Sequence, residues 1–401
     1  MNIKKNFLIP ALLSIGLVSI ASAGLAEKIN GIINQPSQKG VQYSIIVVKA
    51  DSGEVVYSHD ANKAMIPASN MKVITSAAAL KYLGPDYKFT TEVGLCGDTL
   101  VVKGSGDPLL GDEATDAKYK REPGWIFKDI AASLKQNGKT TIKDIIVDAS
   151  FFDNERVHPH WPKEQLNQWY ACEVSGLNYN DNCIAMTVTN TNGNVTISIK
   201  PQTGFVKIAN EVVPITKDKK AKSAVGAYRN QTPNSLTIKG KCQKQEGPFD
   251  VAIEKPAEFF GFLLRENLAG AGINMDGQIL EGPVSGDCDY KKIAEYSTPI
   301  TDCLARCNKN SLGLAAEALF KTIAAKAGGK NGSETPQGSW AKGRELISGY
   351  MLELGISKDE FYIDDGSGLS SVNKLSANVL TQVLLDAYKS KFWPGFKQTL
   401  A

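Results

Sequence analysis

Histidine is nearly missing from this chain: 401 residues hold three, His59, His158 and His160. A Ser-His-Asp triad would have to draw its base from those three, and no G-x-S-x-G elbow presents a serine to one. The pair in His158-Pro159-His160 lies in a polar loop, where such residues are ordinarily surface groups rather than ligands. No C-x-x-C occurs among the seven cysteines, so a zinc site lacks its usual framework. There is no G-x-G-x-x-G after a strand and no phosphate loop with its lysine, which leaves nucleotide chemistry no foothold. No cofactor is expected. An excess of one charge is missing too. The 45 basic and 42 acidic residues give a formal net charge of +3, which carries no footprint for nucleic acid.

Long apolar runs are confined to the beginning. Lys4 and Lys5 precede an apolar stretch from Phe7 to Ile20, and Ala21-Ser22-Ala23 then offers small residues for cleavage before Gly24. Residues 1–23 therefore read as a secretory signal. The stretch is shorter than the roughly 20 apolar residues that usually span a bilayer. The expected protein is exported, periplasmic or extracellular, with no stable membrane span. The cysteines fit an oxidising compartment. Cys172 and Cys183 flank a loop-like run and are placed to bridge, Cys303 and Cys307 stand at helical spacing, and Cys288 lies close before them, while Cys96 and Cys242 stand alone. An odd count leaves at least one thiol free or paired between chains.

The pattern along the chain changes twice. Gln42–Ser58 reads as a hairpin, with Y-S-I-I-V-V-K returning through D-S-G to E-V-V-Y-S. Met71–Tyr82, rich in Ala, Ile, Leu and Val, reads as a helix apolar nearly all round, which belongs in a core. Gly84-Pro85 stops it. From about Phe89 to Ser285 short strands dominate, with helices at Trp125–Lys135 and Ala257–Leu268. Helices return at Ser311–Lys326, Trp340–Leu354 and Ser376–Tyr388, with a polar glycine-rich loop from Gly328 to Gly338. The predicted fold is α/β (α+β): residues 24–88 and 289–401 form one domain from both chain ends, and 89–288 form a large β-rich insertion.

A Ser-Lys pair is the chemistry this composition leaves open. Ser-x-x-Lys occurs three times, at Ser69/Lys72, Ser339/Lys342 and Ser371/Lys374. In a helix the third residue on lies on the same face, but serine is also a favoured N-cap. Only Ser69/Lys72 opens an apolar helix. There, desolvation lowers the lysine pKa from its ordinary ~10.4, so a neutral Lys72 can take the Ser69 proton. The Ser69 N–H at a helix start suits an oxyanion.

The run P-A-S-N-M-K-V-I-T-S-A-A-A-L, Pro67–Leu80, resembles the first motif of the penicillin-binding, active-site-serine D-Ala-D-Ala peptidases. More specifically, the chain resembles the class C D-alanyl-D-alanine carboxypeptidase/endopeptidases. It shares in order G-S-G-D-P-L (Gly104–Leu109), V-D-A-S-F-F-D (Val147–Asp153), W-Y-A-C-E-V-S-G-L-N (Trp169–Asn178), N-K-N-S-L-G-L-A-A-E-A-L (Asn308–Leu319), G-S-W (Gly338–Trp340) and D-G-S-G-L-S (Asp365–Ser370). The resemblance implies a β-lactamase/transpeptidase-like domain carrying a large insertion. It implies Ser69 as nucleophile, Lys72 as its base and Ser311 as proton relay toward the leaving amine. D-G-S-G-L-S would shape a loop beside the site, and Asp153 could approach the site from the insertion. The implied partners are peptidoglycan stem peptides, with β-lactams as covalent inhibitors.

Two positions and one missing motif depart from the pattern. Gly313 stands where the second motif has Asn, Ser371 where an Arg is common, and neither Lys-Thr-Gly nor Lys-Ser-Gly occurs. A C-terminal segment holding that third motif is expected to be lacking, and the nucleophile helix is expected to show an uncovered apolar face. A non-catalytic peptidoglycan-binding protein is the alternative these departures favour.

Overall fold

The computed structural model describes residues 24–216, 221–284, 288–328 and 337–401. The leader segment 1–23 and most of the glycine-rich loop before Ser339 lie outside the described residues.

Two hydrophobic cores organise the chain. The first gathers Met71, Ile74 and Leu80 with Leu314, Leu319, Phe320, Ile347, Val379 and Phe396. At its centre runs the helix Met71–Leu83. Its sequence has no glycine or proline before Gly84, whose φ of 83° ends it while the Gly84 N–H caps the Leu80 carbonyl. Met71, Lys72 and every residue from Ile74 to Leu80 are buried, so each large apolar side chain contributes about 1.5–3 kcal/mol. The uncovered face expected of this helix is therefore absent. Helices Gly313–Ala327, Ile300–Lys309, Trp340–Glu353 and Ala377–Lys389 pack around it. Three alanines in succession, Ala77–Ala79, permit that close approach. The hairpin is present as Ile45–Val48 paired antiparallel with Val55–His59.

The second core belongs to the β-rich stretch, with Val93, Val102, Ile145, Val147, Ile184, Val188, Ile238 and Phe260 among its members. A five-stranded sheet runs in the order Ile279–Glu281, Ile145–Asp148, Thr99–Gly104, Lys88–Cys96, Tyr290–Pro299. Period-two burial along Lys88–Cys96 and apolar runs such as Leu100–Val102 fit strands covered on one or both faces. Two three-stranded sheets follow, one centred on Cys183–Thr191 and one on Ser235–Cys242. The chain leaves the first core along Lys88–Cys96 and returns along Tyr290–Pro299. These two strands pair antiparallel, with Lys88 opposite Pro299 and Cys96 opposite Tyr290.

A disulfide joins Cys96 to Cys288 at the far end of this ribbon. Cys172 and Cys183, placed by their spacing to bridge, are instead free and buried, as are Cys242, Cys303 and Cys307. Sequence distance misled here, because the partner of Cys96 becomes its neighbour only through strand pairing.

Candidate active site

Ser69 lies in the 3-10 turn Ala68–Asn70 that runs directly into the helix Met71–Leu83. The backbone there is already helical and no side chain caps it, so the Ser69 hydroxyl points elsewhere. It accepts a hydrogen bond from Lys72 Nζ at 3.3 Å and another from Ser311 Oγ at 2.9 Å. The three residues predicted for the site are thus brought together, with Ser69 exposed and Lys72 buried.

The other two Ser-x-x-Lys pairs behave differently. Ser339 is an extended N-cap residue whose Oγ accepts from the Lys342 backbone N–H, while Lys342 Nζ turns to Glu345 at 2.7 Å. Ser371 is exposed, and Lys374 sits in a short strand opposite Tyr362.

Lys72 is held by two contacts. Besides Ser69, its amine donates to the Ser367 carbonyl at 2.8 Å. Burial pushes its pKa down, opposed in part by Cys307, Glu317 and Asp365. The carbonyl comes from the D-G-S-G-L-S loop, which buried carboxylates pin in place. Glu317 accepts from the Ser367 N–H at 2.7 Å, the Gly366 N–H at 3.0 Å and the Trp340 indole at 2.8 Å. Burial and the neighbouring Asp365 push the Glu317 carboxyl up to about 7. Asp365 accepts from the Gly368 and Ser370 N–H groups, the Trp161 indole and Asn373. Gly368, at φ 81°, presses so close that a Cβ there would meet the Ala68 carbonyl oxygen at 1.8 Å. Ala68 itself is left-handed at φ 46°. A non-glycine residue there costs about 1–2 kcal/mol, and the strain fixes how the chain enters the turn carrying Ser69.

The alanine-rich helix, expected from Ser311, spans Gly313–Ala327; Leu312 occupies the cap position and no side chain caps it. Ser311 stands instead just past the end of the helix Ile300–Lys309, in the left-handed region at φ 56°. Strain of this kind concentrates at functional sites. A cleft of about 220 Å³ opens on its flank, lined by Trp169, Asp181, Asp250, Arg306, Asn310 and Leu312. Gly313 packs against the insertion: a Cβ there would meet the Tyr170 carbonyl oxygen at 2.7 Å. Asp153, 29% exposed, is engaged in an ion pair of 2.6 Å with the fully buried Lys321, whose amine also donates to the Glu155 carbonyl.

Sequence reading missed Glu317 and Asn373 as supports of the lysine. The available signal for Glu317 was an acidic residue alone in an otherwise apolar helix, A-A-E-A-L. His158, read as a surface residue, is 1% exposed.

The D-Ala-D-Ala carboxypeptidase 3 (S13) family model matches residues 25–401. The D-alanyl-D-alanine carboxypeptidase of Actinomadura sp. (strain R39) is 28% identical over 386 residues, covering 90% of this chain and 67% of that protein. The D-alanyl-D-alanine carboxypeptidase DacB of Haemophilus influenzae is 22% identical over 366 residues, covering 88% of this chain and 72% of its own. The crystal structure of penicillin binding protein 4 (dacB) from Haemophilus influenzae superposes with a TM-score of 0.73 at 21% identity, over 89% of this chain and 77% of that one. This likeness gives the fold: a transpeptidase-like domain with an insertion. With the family model matching nearly the whole described length, the chain belongs to the D-Ala-D-Ala carboxypeptidase 3 (S13) family.

Proposed function

We propose that this protein is an exported serine carboxypeptidase/endopeptidase that acts on peptidoglycan stem peptides ending in D-Ala-D-Ala. One observation carries the reading: a single hydroxyl, Ser69 Oγ, is bonded at once to a buried lysine amine and to the Ser311 hydroxyl. With its pKa lowered by burial, Lys72 reaches the neutral form more readily and accepts the Ser69 proton across the same 3.3 Å contact as Oγ attacks the penultimate D-Ala carbonyl. The Ser69 N–H supports the developing oxyanion. Ser311 passes the proton to the leaving amine, which departs as D-Ala or as a cross-linked partner peptide. Water then cleaves the acyl-enzyme, with Lys72 as base again. β-Lactams acylate Ser69 by the same attack. The test is labelling with a fluorescent penicillin, followed by mass spectrometry of the peptide that carries Ser69. An adduct on Ser69 that disappears in Ser69→Ala is expected; equal labelling of both proteins overturns the catalytic reading.

Gly313 favours a second reading, a protein that binds cell-wall peptide without turning it over. The position of an asparagine side chain at 313 is occupied by the Tyr170 carbonyl. Binding to sacculi with no release of D-Ala and no penicillin adduct is the outcome that selects this reading.

A further inference from the structure

His158, His160 and Asp364 each offer a ligand atom, and these atoms lie within 4.8 Å of one another. None of the three is used by the serine chemistry. We propose that they form a binding site for one divalent transition-metal ion of the Zn²⁺ class.

The geometry carries this. His160 Nδ1 is 2.9 Å from Asp364 Oδ2, and His158 Nδ1 is 3.8 Å from the same oxygen. A tetrahedral Zn²⁺ with ligand bonds of about 2.0–2.1 Å sets neighbouring ligand atoms roughly 3.3–3.4 Å apart, so the two measured edges straddle that value. The carboxylate is already oriented: Arg344 Nη2 holds Asp364 Oδ1 at 2.9 Å, leaving Oδ2 turned toward the imidazoles, where Ser370 Oγ also donates to it. A hydrogen-bonded partner on the outer carboxylate oxygen is the usual way such a ligand is aimed. Arg344 also opposes a cation, which favours a site of modest affinity.

A second observation comes from His158 itself. It is 1% exposed, its Nε2 is buried without a hydrogen-bond partner, and its Nδ1 accepts only a long 3.3 Å bond from the His160 N–H. Its ring is fixed against Trp340 and Trp161. Burying a polar ring with so little compensation is costly; Nδ1, which faces Asp364 Oδ2 and accepts only that long bond, has a lone pair open to a metal, while Nε2 stays unpaired. The His160 side chain is 49% exposed, giving an ion an entry path and a water for the fourth position. Two imidazoles and one carboxylate select Zn²⁺ and its borderline neighbours over Mg²⁺ or Ca²⁺.

The site would join the insertion to the serine centre. Asp364 immediately precedes the loop whose Gly366 and Ser367 carbonyls accept from Thr75 and Lys72, each at 2.8 Å. An ion bound there clamps the 158–160 segment onto the strand end that sets the lysine.

The experiment is calorimetric titration of the metal-free full chain with Zn²⁺, with Co²⁺ absorption spectra as a geometric readout. One ion per chain is expected, with a tetrahedral Co²⁺ spectrum. Affinity should fall at least about 10-fold in His160→Ala, whose half-exposed side chain can be removed without opening the core, and should be unchanged in His59→Ala. No binding by the wild type, equal binding by His160→Ala, or loss with His59→Ala overturns the site.

Discussion

Ser69/Lys72 and Ser339/Lys342 share one spacing and do opposite things. At Ser339 the backbone is extended, φ −135° and ψ 155°, so its oxygen folds back onto the N–H three residues on and closes the first turn. At Ser69 the chain enters a 3-10 turn through left-handed Ala68, which packs against Gly368, and no side chain caps the turn. That hydroxyl is released from capping and meets the lysine amine instead. Surroundings complete the contrast. Lys342 is partly exposed and neutralised by Glu345, whereas Lys72 is 5% exposed and loses stabilisation of its charge. The same two-residue spacing thus does different things according to the backbone that enters it and the water around the amine.

The contrast breaks most severely at Ser69. Ser69→Ala should lower turnover of a D-Ala-D-Ala peptide by on the order of 10⁴-fold or more, measured as D-Ala release, while Ser339→Ala should leave it unchanged. Lys72→Ala should cost about 10²–10⁴-fold, against no change for Lys342→Ala. The pH profile sharpens this pair. Because burial lowers the Lys72 pKa, the neutral base accumulates as pH rises through a value below that of ordinary lysine. Acylation by a β-lactam should therefore rise with pH and level off earlier than a solvated lysine allows. Lys72→Arg, which stays charged, should lose that rise; an unaltered profile would remove Lys72 as the base.

Smaller effects concern stability. Gly313→Ala brings a Cβ to 2.7 Å from the Tyr170 carbonyl oxygen, so it should destabilise by about 1–3 kcal/mol, read from denaturant midpoints. Ser339→Ala should cost about 1 kcal/mol through the lost cap, by the same measurement. Ser69→Ala should cost no cap energy, since Ser69 caps nothing.

The sequence made the helices near the serine legible because their alanine and leucine content, bounded by glycine and proline, leaves few alternatives. The nucleophile helix was expected at Met71–Tyr82 and runs to Leu83; Ser376 was placed at a helix start and is its N-cap, accepting from the Val379 N–H. The Ser69, Lys72 and Ser311 cluster was legible through ordered motifs, since 242 residues separate the two serines and no periodicity joins them. What stayed hidden was set by tertiary contact. The covering of the nucleophile helix comes from four helices distant in sequence. The Cys96–Cys288 pairing follows from strand register. The service of Glu317 depends on three donors from two other segments, and His158 packs against Trp340, distant in sequence.

The disulfide at the end of the two-stranded ribbon also decides how the molecule responds to a protease. Its 192-residue separation makes the insertion a covalent ring with two tails, one bearing Ser69 and the other Ser311. A single cut anywhere inside that ring opens it without parting the tails. The nicked protein would run as one species until reduced and as two fragments afterwards, Ser69 on one and Ser311 on the other.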